Sequence, residues 1–200
     1  TDTETAINAV AENKSVIISG TFKDPISDFI GVFGMPNLDK LALHLKNPEY
    51  KEGATIGVVK AQRNGVEVPV GLHFENAAKD FRNDYRFMNT DIINEKLKTV
   101  KFRGVRWDVE IEPSVQSVQR FQFQAAANNE HTTFLAKTEN GNLKFTFGDQ
   151  STHGGEFIFA TGVTGVLNKG WTWPVAPVLA ILKAADVNNT TMSLSNEGAL

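Results

Sequence analysis

Met35-Pro36-Asn37-Leu38-Asp39-Lys40-Leu41-Ala42-Leu43-His44-Leu45, then Ala54-Thr55-Ile56-Gly57-Val58-Val59, Asn64-Gly65 and Val66-Glu67-Val68, reads as a proline-opened helix feeding two strands joined by a tight turn. The same plan returns twice. Pro113-Ser114 leads through Thr133-Phe134-Leu135-Ala136 to Asn140-Gly141 and Leu143-Lys144-Phe145-Thr146-Phe147. A third copy runs from near Pro177 to Thr191-Met192-Ser193-Leu194 and Asn196-Glu197-Gly198. A recurring helix-plus-hairpin unit predicts stacked modules that present equivalent helix faces.

Local chemistry supports each part. Leu38, Leu41, Ala42 and Leu45 fall at i, i+3, i+4 and i+7, a helical stripe. Asn64-Gly65 suits a type I′ turn, whose two central residues need positive φ. Val66, Val68 and Val70 alternate and lead on to Leu72 and Phe74, a long strand with one buried face. Ser15–Gly20, 28–34, Val105–Ile111, Glu156–Thr161 and Trp171–Trp173 are further predicted strands, and residues 3–12 a short helix with Ile7, Val10 and Ala11 on one side. In 114–127, Phe121-Gln122-Phe123-Gln124 alternates like a strand, but the Pro113-Ser114 opening and the Ala125–Ala127 run favour a helix. Residues 76–100 interleave Asn, Asp, Lys and Arg with Phe81, Tyr85, Phe87 and Met88 without a clean period, and read as a connector with one irregular helical turn. Antiparallel strands with inserted helices predict an α+β architecture, helices on one face of the sheets.

The bulk numbers set limits. Two hundred residues, 41% hydrophobic and 22% charged, suit one large domain or two small ones with ample core. With no cysteine there is no disulfide framework, thiolate zinc site or cysteine nucleophile. No apolar run approaches the roughly 20 residues of a membrane span. Twenty basic residues against 23 acidic ones give a net charge of −3, whereas a protein that grips many phosphates is usually basic. The average hides an asymmetry: Lys79 to Arg106 holds eight basic and four acidic residues, and Trp107 onward holds five and nine.

Catalytic constellations are scarce. His44, His73, His131 and His153 are not spaced as metal ligands, and HExxH is absent. His153-Gly154-Gly155 lacks an accompanying G-x-S-x-G elbow and reads as a turn feeding a strand. Gly162-Val163-Thr164-Gly165 is too short for a phosphate loop. Asp108, Glu110 and Glu112 share one strand face, as acid/base carboxylates or a cation site would, but the alternation with Trp107, Val109 and Ile111 is equally that of a solvated strand.

The repeat helices say more. On helical wheels Lys40 and His44 lie opposite Leu38, Leu41 and Leu45. Gln116 and Arg120 lie opposite Val115, Val118 and Phe121, and Lys183 lies opposite Val178, Ile181 and Leu182. Side by side, such faces form a sparsely basic surface that touches phosphates weakly and without base readout.

In these stretches the chain resembles the DNA polymerase sliding clamps, most closely the trimeric clamps of tailed bacteriophages. The matching segments are 28–33 with the Leu38–Leu45 helix and the Asn64-Gly65 hairpin. In the second half they are Trp107–Ile111, Pro113–Ala127, Thr133–Phe147 and Trp171–Lys183. The resemblance covers most of the chain by order of elements, since clamps have no short diagnostic signature. It implies a DNA-clamp fold: helix-plus-antiparallel-sheet modules closed into a ring, likewise a homotrimer, with helices on the inner face. By this resemblance residues 1–78 are a first clamp domain, 79–104 an interdomain connector and 105–200 a second clamp domain, trimmed at both ends relative to a full clamp. Lys40, His44, Lys46, Gln116, Gln119, Arg120 and Lys183 are expected to face duplex DNA, and Phe81, Phe87 and Met88 to shape a pocket for peptide tails of DNA polymerase and clamp loader. It further implies a non-enzymatic processivity factor of DNA replication, without metal or cofactor, in the cytoplasm of an infected bacterium. Topological linkage makes tight binding unnecessary, so an acidic chain is no contradiction. Two other classes compete: a phage structural or assembly module with no DNA role, and a single-strand binder stacking bases on Phe121, Phe123 and Trp173. An enzyme has the least support.

Overall fold

The computed structural model describes residues 1, 3–27, 29–97, 104–149, 151 and 153–200, with backbone alone at 90, 94, 96 and 97. The chain divides into two compact units, Thr1–Phe102 and Arg103–Leu200. Both are α+β, and every described strand pairing is antiparallel.

The first unit opens with a hairpin, β1 (Ala6–Val10) and β2 (Ile17–Thr21). The helix expected over 3–12 is therefore a strand. A helix that short is marginal by itself, and here the cross-strand pairs Ala9–Ile18 and Val10–Ile17 take its apolar residues. Residues 29–34 form no strand beyond one bridge from Gly34 to Met88. Gly31 sits at φ 120°, a conformation that interrupts an extended run, while the rings of Phe29 and Phe33 meet at a tilt with centroids 5.1 Å apart. The helix α1 spans Leu38–Lys46, as its stripe predicts.

Next come β3 (Thr55–Arg63) and β4 (Val66–Glu75), joined at Asn64-Gly65 with φ of 50° and 77°. Of the residues expected as a connector, 98–103 lie outside the described residues, and 79–97 carry regular structure within this unit. They form β5 (Arg82–Arg86), which completes a sheet in the order β3-β4-β5, and α2 (Thr90–Leu97). Asn76 seats the β4–β5 turn, its Oδ1 accepting from the nitrogens of Asp80 and Phe81 at 3.1 Å. Helix α1 packs on Leu72, Phe74 and Tyr85, the buried centre of the unit.

The second unit follows the repeat closely: β6 (Val109–Ile111), α3 (Val115–Ala127), β7 (Thr133–Glu139), β8 (Asn142–Phe147), β9 (Gly155–Thr161), β10 (Trp171–Pro174), α4 (Val175–Ala184) and β11 (Met192–Leu194). Only the last part of the strand expected over 105–111 pairs. Ser114 caps α3, its hydroxyl accepting from Ser117 N at 3.0 Å. Pro177 falls in the first turn of α4, where a missing N–H costs nothing. The main sheet runs β10-β7-β8-β9, and β11 pairs with β6. The third copy is thus a helix and a strand rather than a helix and a hairpin.

Phe121 of α3 is fully buried at the centre of this unit. Its ring lies 4.8 Å from Phe134, 5.5 Å from Phe145 and 6.0 Å from Phe147, with Phe157 and Phe159 each at 6.4 Å. Each such ring buries about 150–250 Å², so this cluster dominates the unit's stability. Ser117 ties α3 to β9, its hydroxyl donating to Phe159 O at 2.6 Å.

Candidate nucleic-acid interface

Helix α3 turns Val118, Phe121 and Ala125 inward, which leaves Gln116, Gln119 and Arg120 exposed as the wheel predicts. Val115 of the expected inner stripe is instead 55% exposed. In α4, Val178 and Leu182 are buried, Lys183 is exposed, and Ile181 lies 45% open to solvent. The two helices touch each other. Among the described residues no carboxylate pairs with Arg120 or Lys183.

Gln116, Gln119 and Arg120 meet Phe123, Gln124 and Phe157 around an open depression of about 410 Å³. Phe123 stands 70% exposed on the outer face of α3. Sequence reasoning assigned it only to base stacking, alongside Phe121 and Trp173. Those two are 0% and 7% exposed, so neither offers a stacking platform. The signal was present: with Val118, Phe121 and Ala125 inward, the 3.6-residue period puts Phe123 outside.

In α1, Lys40 and Lys46 are exposed, and no carboxylate among the described residues pairs with them. His44 departs from its expected place. Its ring lies 5.2 Å from Phe74 and its Nε2 is buried without a hydrogen-bond partner, so it packs inward. Leu38 and Leu45 are 59% and 58% exposed, so the inward face of α1 is rotated towards Leu41 and His44.

The expected peptide pocket is not assembled by its three residues. Phe81 precedes β5 and lies 5.6 Å from Tyr50. Phe87 and Met88 follow β5; the Phe87 ring is 5.1 Å from Phe33, and Met88 N donates to Gly34 O at 2.7 Å. A strand of this length separates them by roughly 20 Å at about 3.3 Å per residue.

The remaining candidates serve the fold. Asp108 Oδ2 accepts from Asn196 N at 2.7 Å, while Glu110 and Glu112 point to solvent. His153 lends its carbonyl to His131 Nε2 at 2.7 Å. A side chain at Gly155 would strike Gln124 Oε1, and one at Gly165 would strike the Asp108 carbonyl. His73 and Asp84 pair at 2.8 Å across β4 and β5, at the surface of the sheet. Among the described residues, no helix is long and apolar enough to cross a membrane.

No family model matches this sequence, and no curated protein matches it.

Proposed function

We propose that the chain is the protomer of a DNA polymerase sliding clamp, a non-enzymatic ring that encircles duplex DNA and tethers the polymerase. The observation that carries this reading is the distribution of charge in the second unit. None of its nine acidic residues from Trp107 onward lies in α3 or α4, whose only charged side chains are Arg120 and Lys183, both exposed. A helical face free of carboxylates, on an acidic chain, suits a polyanion held without sequence readout. In the first unit, taken by itself, α1 likewise exposes Lys40 and Lys46. The order strand, helix, three strands, then strand, helix, strand in the second unit supports the same reading. So does the burial of Phe121 and Trp173, which argues against a single-strand binder.

Retention on DNA with blocked ends tests it. Duplex is fixed to a bead at one end, incubated with the protein, capped at the free end and washed in high salt. A ring remains only on capped duplex and is released when the duplex is cut. Lys40→Glu, Arg120→Glu and Lys183→Glu together should lower the amount of protein that associates with the duplex before capping while leaving the far-ultraviolet spectrum unchanged. Retention indifferent to the cap would sink the clamp reading and favour an ordinary surface or an assembly module.

A further inference from the structure

Two hairpins close on the same dipeptide in the same turn. Asn64-Gly65 has φ of 50° and 77°, and Asn140-Gly141 has 50° and 72°. Both pairs are exposed. Asn-Gly is chemically labile because glycine, lacking a Cβ, lets its backbone nitrogen reach the side-chain carbonyl carbon of the preceding Asn. A rigid turn opposes that approach, so lability depends on how often the turn opens.

The surroundings of the two turns differ. At Asn140-Gly141 a third strand reaches the turn: Asn142 pairs with Thr161 of β9, and Val163 N donates to Gly141 O at 2.8 Å. Among the described residues no third strand does so at Asn64-Gly65. β5 pairs with β4 only from Gly71 to Glu75, and the last bond from that side is Phe87 N to Val70 O at 3.0 Å. From Lys60 to Pro69 the chain is a two-stranded ribbon, set off by a register shift at Val59/Lys60. Two strands alone are marginally stable in water. Val66, beside the turn, is 62% exposed.

We propose that Asn64 is a site of spontaneous deamidation, and that Asn140 is protected by its sheet. The Gly65 nitrogen gives its proton to solvent base and bonds to Asn64 Cγ. The Cγ–Nδ2 bond breaks, and ammonia leaves with a proton. The resulting succinimide is opened by water at either carbonyl, giving aspartate or isoaspartate. Water enters and ammonia departs, with no oxidant or reductant. The product places a negative charge beside Arg63. As isoaspartate it also adds a methylene to the main chain, which the two-residue loop between Arg63 and Val66 cannot accommodate.

The test is incubation of the intact protein in mildly alkaline buffer, followed by peptide mapping and methyl transfer by an isoaspartyl carboxyl methyltransferase. Modification at Asn64 is expected to build up roughly tenfold faster than at Asn140, because local opening limits the rate. Equal rates, or Asn140 ahead, overturn the proposal. Asn64→Gln should remove most of the methyl acceptance; undiminished acceptance in that variant also overturns it.

Discussion

Asn196 N donates to Asp108 Oδ2 at 2.7 Å, joining positions 88 residues apart. Around that bond Asn196 does more. Its Oδ1 accepts from Asn168 N at 2.8 Å and Lys169 N at 3.4 Å, and its Nδ2 donates to Val166 O at 2.9 Å. Its carbonyl accepts from Trp171 Nε1 at 2.8 Å. The approach to β6, the loop ahead of β10 and the turn after β11 thus meet at one residue, the first through its main-chain N–H and the loop mainly through its side chain. Asp108→Ala should cost about 2 kcal/mol, the usual loss for a hydrogen bond to a charged group. Asn196→Ala loosens the same turn, so the double variant should cost clearly less than the sum of the singles. Urea unfolding of the four proteins measures this, and simple additivity would show that the two residues act independently.

His44 carries a buried nitrogen without a partner, against Phe74. Such an atom costs about 1–3 kcal/mol in lost solvation. His44→Leu should therefore stabilise the first unit by about 1 kcal/mol after imperfect repacking. A melting temperature that falls would mean the imidazole's packing outweighs its orphaned nitrogen.

Phe121 and Phe123 are two residues apart and should differ sharply. Phe121→Ala opens a cavity among five rings and should cost about 3–5 kcal/mol. Phe123→Ala removes an exposed ring and should stay within about 0.5 kcal/mol. Emission from Trp173, itself buried beside Phe134, follows the unfolding.

Glu139 and Lys144 face each other across β7 and β8 at 2.7 Å. The hydrogen bond from Lys144, and then its charge, hold the Glu139 carboxyl below the usual carboxylate range. The bond to Glu139 raises the Lys144 ammonium. A depressed acid stabilises above its unfolded pKa and loses that contribution as pH falls through the folded one. A raised amine stabilises below its unfolded pKa and loses it as pH rises through the folded one. The pair therefore contributes across neutral pH and fades at both extremes. Lys144→Met should return the Glu139 midpoint, followed by carboxyl carbon chemical shift, towards the usual range; an unmoved midpoint would assign the depression to another cause.

Arg120 and Lys183 should appear in the salt dependence of equilibrium binding to duplex with a free end. Neutralising a cation that sits on one phosphate reduces the steepness of log K against log salt by about 0.9. Arg120→Gln and Lys183→Gln should each flatten that slope equally on duplexes of unrelated sequence. A variant whose weakening depends on sequence would point to base recognition instead.

Local chemistry located α1 by its apolar stripe, α3 by its Pro113-Ser114 opening and alanine run, and both Asn-Gly hairpins by their required positive φ, all local facts of the chain. Helical wheels also placed Lys40, Gln116, Arg120 and Lys183 on exposed surface, since residues off the stripe of an amphipathic helix meet solvent, but they placed His44 there too, and it packs inward. Partnership was not legible. Residues 6–10 became a strand because 17–21 lay opposite, β11 found β6 rather than a hairpin mate, and 82–86 joined a sheet instead of bridging two.

By itself, then, the sequence determined the α+β class, the helix-and-hairpin plan in two of its three copies and a carboxylate-free face on two helices. Only tertiary structure decided that His44 turns in while Phe123 turns out, and that Phe81 lies far along β5 from Met88. It also decided that one Asn-Gly turn is braced by a third strand while its twin is not. The physical reason is the reach of each interaction. Helix stripes and turn dihedrals are settled within a few neighbouring residues, whereas strand pairing and the facing of a short helix depend on residues tens of positions away.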